Sequence, residues 1–195
     1  MLIERIKNIL FSPREEWEKI KAETTGIAQV MTGYAVLLAL IPAIFGLLGY
    51  SLIGVSMGVF GVIRYPFTYG LIWAIIWYIL TLVGLYVDGI IINALAPSFD
   101  SKQNPVNAYK LAVYSTTPLF IAGILYIVPT LGILVFLISL YGLYLLYVGM
   151  PIMMETPREK VVGYLIVAII VIIVVNIIVG VIASAVLATA WRPYL

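Results

Sequence analysis

The chain contains no cysteine and no histidine. Without cysteine there is no disulfide framework, no thiol nucleophile and no thiolate metal ligand. Without histidine, the commonest general base and metal ligand is also missing. Charge is scarce. Only 10% of the 195 residues are Asp, Glu, Lys or Arg, and the net charge of +2 is too small for a nucleic-acid surface. A secretory leader is not expected, because Glu4, Arg5 and Lys7 interrupt the start and no apolar core with a small-residue cleavage site follows. No serine stands in a nucleophile pattern, no glycine loop suits a phosphate, and no ligand cluster suits a metal. The sequence therefore implies neither catalysis nor a cofactor.

What the chain has in quantity is oil. Hydrophobic residues make up 64% of it and the mean hydropathy is +1.14, whereas soluble domains are about 45–50% apolar. The apolar runs are continuous, not alternating in ~10-residue segments as in a membrane barrel. The fold class is thus all-α: a polytopic membrane protein with a five-transmembrane-helix bundle and an N-terminal amphipathic helical segment. About 20 apolar residues cross a bilayer as a helix, which predicts spans at about 27–49, 67–95, 109–127, 131–150 and 161–188. Residues 1–25 form a cytosolic amphipathic segment and 26–195 the membrane domain. Pro42 and Pro118 are expected to kink their helices, and Val128-Pro129-Thr130 to break a long apolar run into a tight hairpin. Segment 51–65 is short for a crossing and reads as interfacial or re-entrant. Its Gly54 and Gly58 form a G-x-x-x-G pair suited to close helix contact.

Half of the charges fall in residues 1–25. Leu2, Ile3, Ile6, Ile9 and Leu10 recur at helical spacing, the pattern of an amphipathic helix lying on a membrane or a partner. Ser12-Pro13-Arg14-Glu15 has the form of a capping box with proline at the first helical position, so a second helix starts at Pro13. Pro13, Glu16, Trp17 and Ile20 are the residues expected to meet the membrane surface or a protein partner. With five spans and the N-terminus inside, nine Lys/Arg lie inside and only Arg64 and Arg192 outside. That bias argues against a sixth crossing at 51–65. It predicts a multi-pass cell-membrane protein with a cytoplasmic N-terminus and an external C-terminus.

Inside the spans, Asp88 is the acid that stands out, because ionised groups at this depth are costly and often functional. Lys110 opens the third span on the same side, so the expectation is a structural Asp88–Lys110 pair or a place for Asp88 near the lipid headgroups. Tyr114, Thr117 and Tyr144 lie at a similar depth, and with Asp88 they could line a polar pocket opening inward. Asn176 shares a small-residue face with Gly180, Ser184 and Ala188, which suits helix packing and, with Gly54 and Gly58, a homo-oligomer. Two functions follow. One is a binding or organising protein working through its front segment. The other is a small transporter, channel or lipid-moving protein using Asp88 and kinked helices.

The order of these features resembles a known family. A short S-P-x-x-x-W helix (Ser12, Pro13, Trp17) precedes five spans. A polar loop leads into N-A-Y-K-L-A-V-Y-S-T-T-P (107–118). The Val128-Pro129 hairpin is followed by Gly149 near the end of the fourth span, and Lys160 opens the last. The chain is similar in this to the YIP-domain proteins, the Ypt/Rab GTPase-interacting membrane family, in its prokaryotic branch. The resemblance implies about five membrane helices and a cytosolic N-terminus. It also implies roles in membrane trafficking or shaping, since eukaryotic members bind prenylated Rab-type GTPases and one another. Their acidic D-L-x-G-P-type motif is absent here, and Ser12 to Ile20 stands in its place.

Overall fold

The structure, a computed structural model, describes residues 2–56, 58 and 61–191, with side chains through 178 and again at 181. The face expected at Gly180, Ser184 and Ala188, and Arg192, lie outside the described side chains. Among the described residues, five helices are long and apolar enough to cross a membrane: Ile27–Ile53, Phe67–Phe99, Pro105–Ile127, Pro129–Met153 and Val161–Ile178. The last continues as helix to Trp191. Among the described residues, the bundle is all-α apart from one short hairpin. We call the end where the first span begins the near end and the opposite one the far end.

The third span is the hub. Its most apolar stretch is 61% buried, against 17–28% in the other four. It is also the most polar of the five, with Tyr109, Lys110, Tyr114, Ser115 and Thr117 all buried. A helix carrying such groups cannot face hydrocarbon, where each unpaired polar atom costs several kcal/mol. The second and fifth spans show the converse. Ile72, Ile75, Ile79 and Val83 on one, and Ile166, Ile170, Ile173 and Ile177 on the other, form exposed apolar rows at helical spacing.

Prolines shape the hub. The α-helix Pro105–Ser115 ends at Thr116 and restarts as Thr117–Ala122 with Pro118 in its first turn. The path then tightens to a 3-10 turn, Gly123–Ile127, seated on Pro42 of the first span. A Cβ on Gly123 would lie 2.6 Å from Pro42 Cβ, so this contact depends on glycine. The chain reverses at Val128, held extended (φ −114, ψ 98) by the following Pro129.

At the far end the first helix runs past Gly49 as a π-turn to Ile53. Strands β1 (Val55–Ser56) and β2 (Val62–Ile63) then pair antiparallel, with Val55 opposite Ile63. Gly54 (φ 84) and Gly58 (φ 61) both have positive-φ backbones of the kind that favours glycine. The helix face expected of this pair is therefore not formed. The two glycines serve turns instead.

Candidate functional site

The N-terminal segment folds into two helices, α1 (Leu2–Phe11) and α2 (Pro13–Ala22), with Ser12 between them. Half-buried Pro13 opens α2 as its spacing predicts, but Ser12 makes no side-chain cap, so the reciprocal capping box is not formed. Helix α2 lies along Tyr141–Met153 of the fourth span. Trp17, 0% exposed, donates from Nε1 to the carbonyl of Leu145 at 3.2 Å. Gly149 makes room for the ring: a Cβ there would sit 2.8 Å from Trp17 Cε2 and 2.5 Å from Leu111 Cδ1. Ile20 and Ile9 are fully buried beside it. Further along, the Tyr141 hydroxyl donates to the Leu10 carbonyl at 2.7 Å, fixing the end of α1. The sequence reading turned Glu16, Trp17 and Ile20 toward a partner or the membrane. The structure turns all three inward, because a groove beside Gly149 takes the apolar side of α2.

A buried charge network accompanies the docking. Glu16 is 3% exposed and accepts from Arg5 Nη1 at 2.5 Å, while Lys19 Nζ stands 3.6 Å from its other oxygen. Arg5 Nη2 also pairs with Glu23, and the guanidinium lies 5.7 Å from the centre of the Tyr114 ring. Burial pulls the Arg5 pKa down, but the hydrogen bond and charge of Glu23 and the charge of Glu16 outweigh it, leaving the group above its ordinary value. Lys110, 1% exposed, donates to the carbonyls of Ile20 (3.0 Å) and Glu23 (2.8 Å). It thus caps the C-terminal end of α2, where orphan carbonyls and the helix dipole favour a cation. The expected Asp88–Lys110 pair is not made, because these carbonyls claim the ammonium.

Behind this network lies an aromatic cluster. Tyr114 meets Trp17 edge-on at 6.2 Å and Tyr34 at 4.7 Å between ring centres. Thr117 donates to the Tyr114 carbonyl at 2.6 Å, which spends its only proton. The Tyr34 hydroxyl, 2.8 Å away, is therefore the donor in the Tyr34–Thr117 bond. Sequence reasoning missed Arg5, Glu23 and Tyr34 as parts of one assembly. Tyr34 was the legible one, a buried-phase hydroxyl about two turns into an apolar run and so in need of a partner.

The four-residue pocket of Asp88, Tyr114, Thr117 and Tyr144 is not assembled. Tyr144 is exposed and packs on Tyr141, ring centres 5.3 Å apart. Asp88 lies on the second span facing the Asn176 side chain, with its Oδ1 buried and unbonded. Asn176 donates to the Ile172 carbonyl at 2.8 Å in its own helix. Two clefts stand out among the described residues. One, at the near end, has a volume of about 400 Å³ and lies between the end of α2, the starts of the first and third spans and Glu155. The other, at the far end, encloses about 460 Å³ among Tyr50, Tyr65, Tyr69, Trp73, Trp77 and Tyr126. Asp88 lines neither.

A family model described as the Yip1 domain matches residues 7–191. The inner membrane protein YohC of Escherichia coli strain K12 is 30% identical over 159 residues, covering 77% of this chain and 80% of that protein. YohC of Escherichia coli O6:H1 matches with the same identity and coverage. No solved structure matches the chain.

Proposed function

The chain belongs to the Yip1-domain family of integral membrane proteins, and on that premise we propose that it is a membrane-embedded binding and organising protein with no catalysis of its own. Its N-terminal hairpin is the working element and faces the cytoplasm, with the C-terminus outside. The excess of Lys and Arg on the near side supports that orientation.

One observation carries the reading. The hairpin is fixed by its buried side, yet α1 leaves Ile3 81% and Phe11 80% exposed. A docked amphipathic helix with two bare apolar side chains is suited to bury them elsewhere, in a protein partner or in the adjoining leaflet. The end of α1 is tied to Tyr141 of the fourth span, and Tyr141, Tyr144 and Tyr147 are exposed on that helix. Trafficking or membrane shaping, the roles of the wider family, both use such a surface. The transport reading draws on Asp88, but neither cleft leads to it.

The test is the double variant Ile3→Glu, Phe11→Glu. Both side chains point away from the bundle, so the fold persists. The variant is expected to lose co-purifying protein or to abolish any change in liposome shape that the wild type causes. No difference in either readout contradicts the proposal.

A further inference from the structure

The near-end cleft is a charged recess at the level where the spans leave the membrane. Lys21 ends α2, Lys102 precedes the third span and Lys110 stands behind them, all three lining the same space. One carboxylate answers the two outer lysines. Glu155 Oε1 lies 3.0 Å from Lys21 Nζ and 3.6 Å from Lys102 Nζ. The other acid of the cleft, Glu23, has its carboxylate engaged by Arg5. Lys110 gives two protons to carbonyls, and its third N–H is not spent on them. Thr25, also in the wall, has a buried hydroxyl oxygen with no hydrogen-bond partner.

Glu155 is held there awkwardly. Its backbone is left-handed (φ 54), a conformation that L side chains rarely adopt. Its side chain is 47% exposed, so water competes for it. It marks where an anion sits between Lys21 and Lys102. Basic recesses between membrane helices at this level take phosphate headgroups.

From this geometry we infer that the cleft binds a phosphate group between Lys21 and Lys102, displacing the Glu155 carboxylate. The source is an anionic phospholipid of the leaflet on the N-terminal side. The inference uses residues separate from Ile3 and Phe11 and stands whether or not the hairpin recruits a partner.

The test is native mass spectrometry of the full chain in detergent, counting retained phosphatidylglycerol against phosphatidylcholine, with inorganic phosphate as the competing arm. Each lysine removed should lower phosphatidylglycerol retention about fivefold. Lys21→Gln with Lys102→Gln should therefore nearly abolish it, while Glu155→Gln should raise it. Arg14→Gln, an equal charge change on exposed α2 away from the cleft, should leave it unchanged. Retention that is insensitive to the cleft variants, or equally sensitive to Arg14→Gln, overturns the inference. Binding of inorganic phosphate with the same variant order but no lipid preference keeps the phosphate site and overturns its lipid source.

Discussion

The indole nitrogen of Trp17 donates to the main-chain oxygen of Leu145, 3.2 Å away across 128 positions of sequence. That bond lies beside Gly149 and joins the front segment to the fourth span, so the hairpin is built into the bundle and does not trail from it.

Trp17→Ala should destabilise the protein by about 3–5 kcal/mol, the range for emptying a large core site. Gly149→Ala should act from the other side, because the added methyl meets Trp17 Cε2 at 2.8 Å and Leu111 Cδ1 at 2.5 Å. Overpacking of this kind costs about 1–3 kcal/mol. Thermal unfolding in detergent, with limited proteolysis of residues 1–25, checks both. Early cleavage near Lys19 and Lys21 is the expected sign of release.

Arg5→Met leaves the Glu16 carboxylate buried with only Lys19 nearby, at 3.6 Å. Breaking one side of a buried pair costs about 3 kcal/mol or more. Adding Glu16→Gln removes the stranded charge, so the double variant should be more stable than Arg5→Met alone. Denaturation of the two variants in parallel measures the difference. A double variant that is weaker than the single would contradict a pairing role for Arg5.

The spans were legible because hydrocarbon imposes a length and a composition on any helix that crosses it. Pro13, Pro118 and Pro129 were legible as local punctuation, since proline acts on its own backbone and its immediate neighbours. The direction of Trp17 was not. Its spacing with Ile20 says that the two share a side of α2, and that side could meet lipid or protein equally well. The deciding feature is a glycine 132 positions away, which no local pattern connects to it. The partner of Lys110 was hidden for the same reason. Depth along the spans suggested Asp88, but the carbonyl ends of a separate helix take the ammonium. Gly54 and Gly58 had two uses at one spacing, and only the backbone angles distinguish them.

The Glu155 carboxyl is held below its ordinary range, first by the hydrogen bond and charge of Lys21 and then by Lys102. A depressed folded-state pKa means that its contribution is present at neutral pH, above the unfolded value. The contribution is lost as pH falls through the lower, folded value. Wild type and Glu155→Gln should therefore differ in Tm at neutral pH and converge in acid. Curves that stay parallel down to acid pH would show that Glu155 stabilises nothing through its charge.

Asp88 faces Asn176 away from both clefts. Vesicles containing the wild type should therefore pass ions and lipids no faster than empty vesicles, and Asp88→Asn should change nothing. Flux in the wild type that Asp88→Asn removes would return the transport reading to first place.

The chain has no cysteine, so a single introduced thiol reports without background. Arg14→Cys and Ile20→Cys, labelled in native membranes, test most directly whether the hairpin is docked with one face out. Arg14 is exposed and Ile20 buried, so the first thiol should react rapidly and the second should be protected until the protein unfolds. Equal labelling rates would mean that the segment swings free of the bundle, and the account built on its docked face would be wrong.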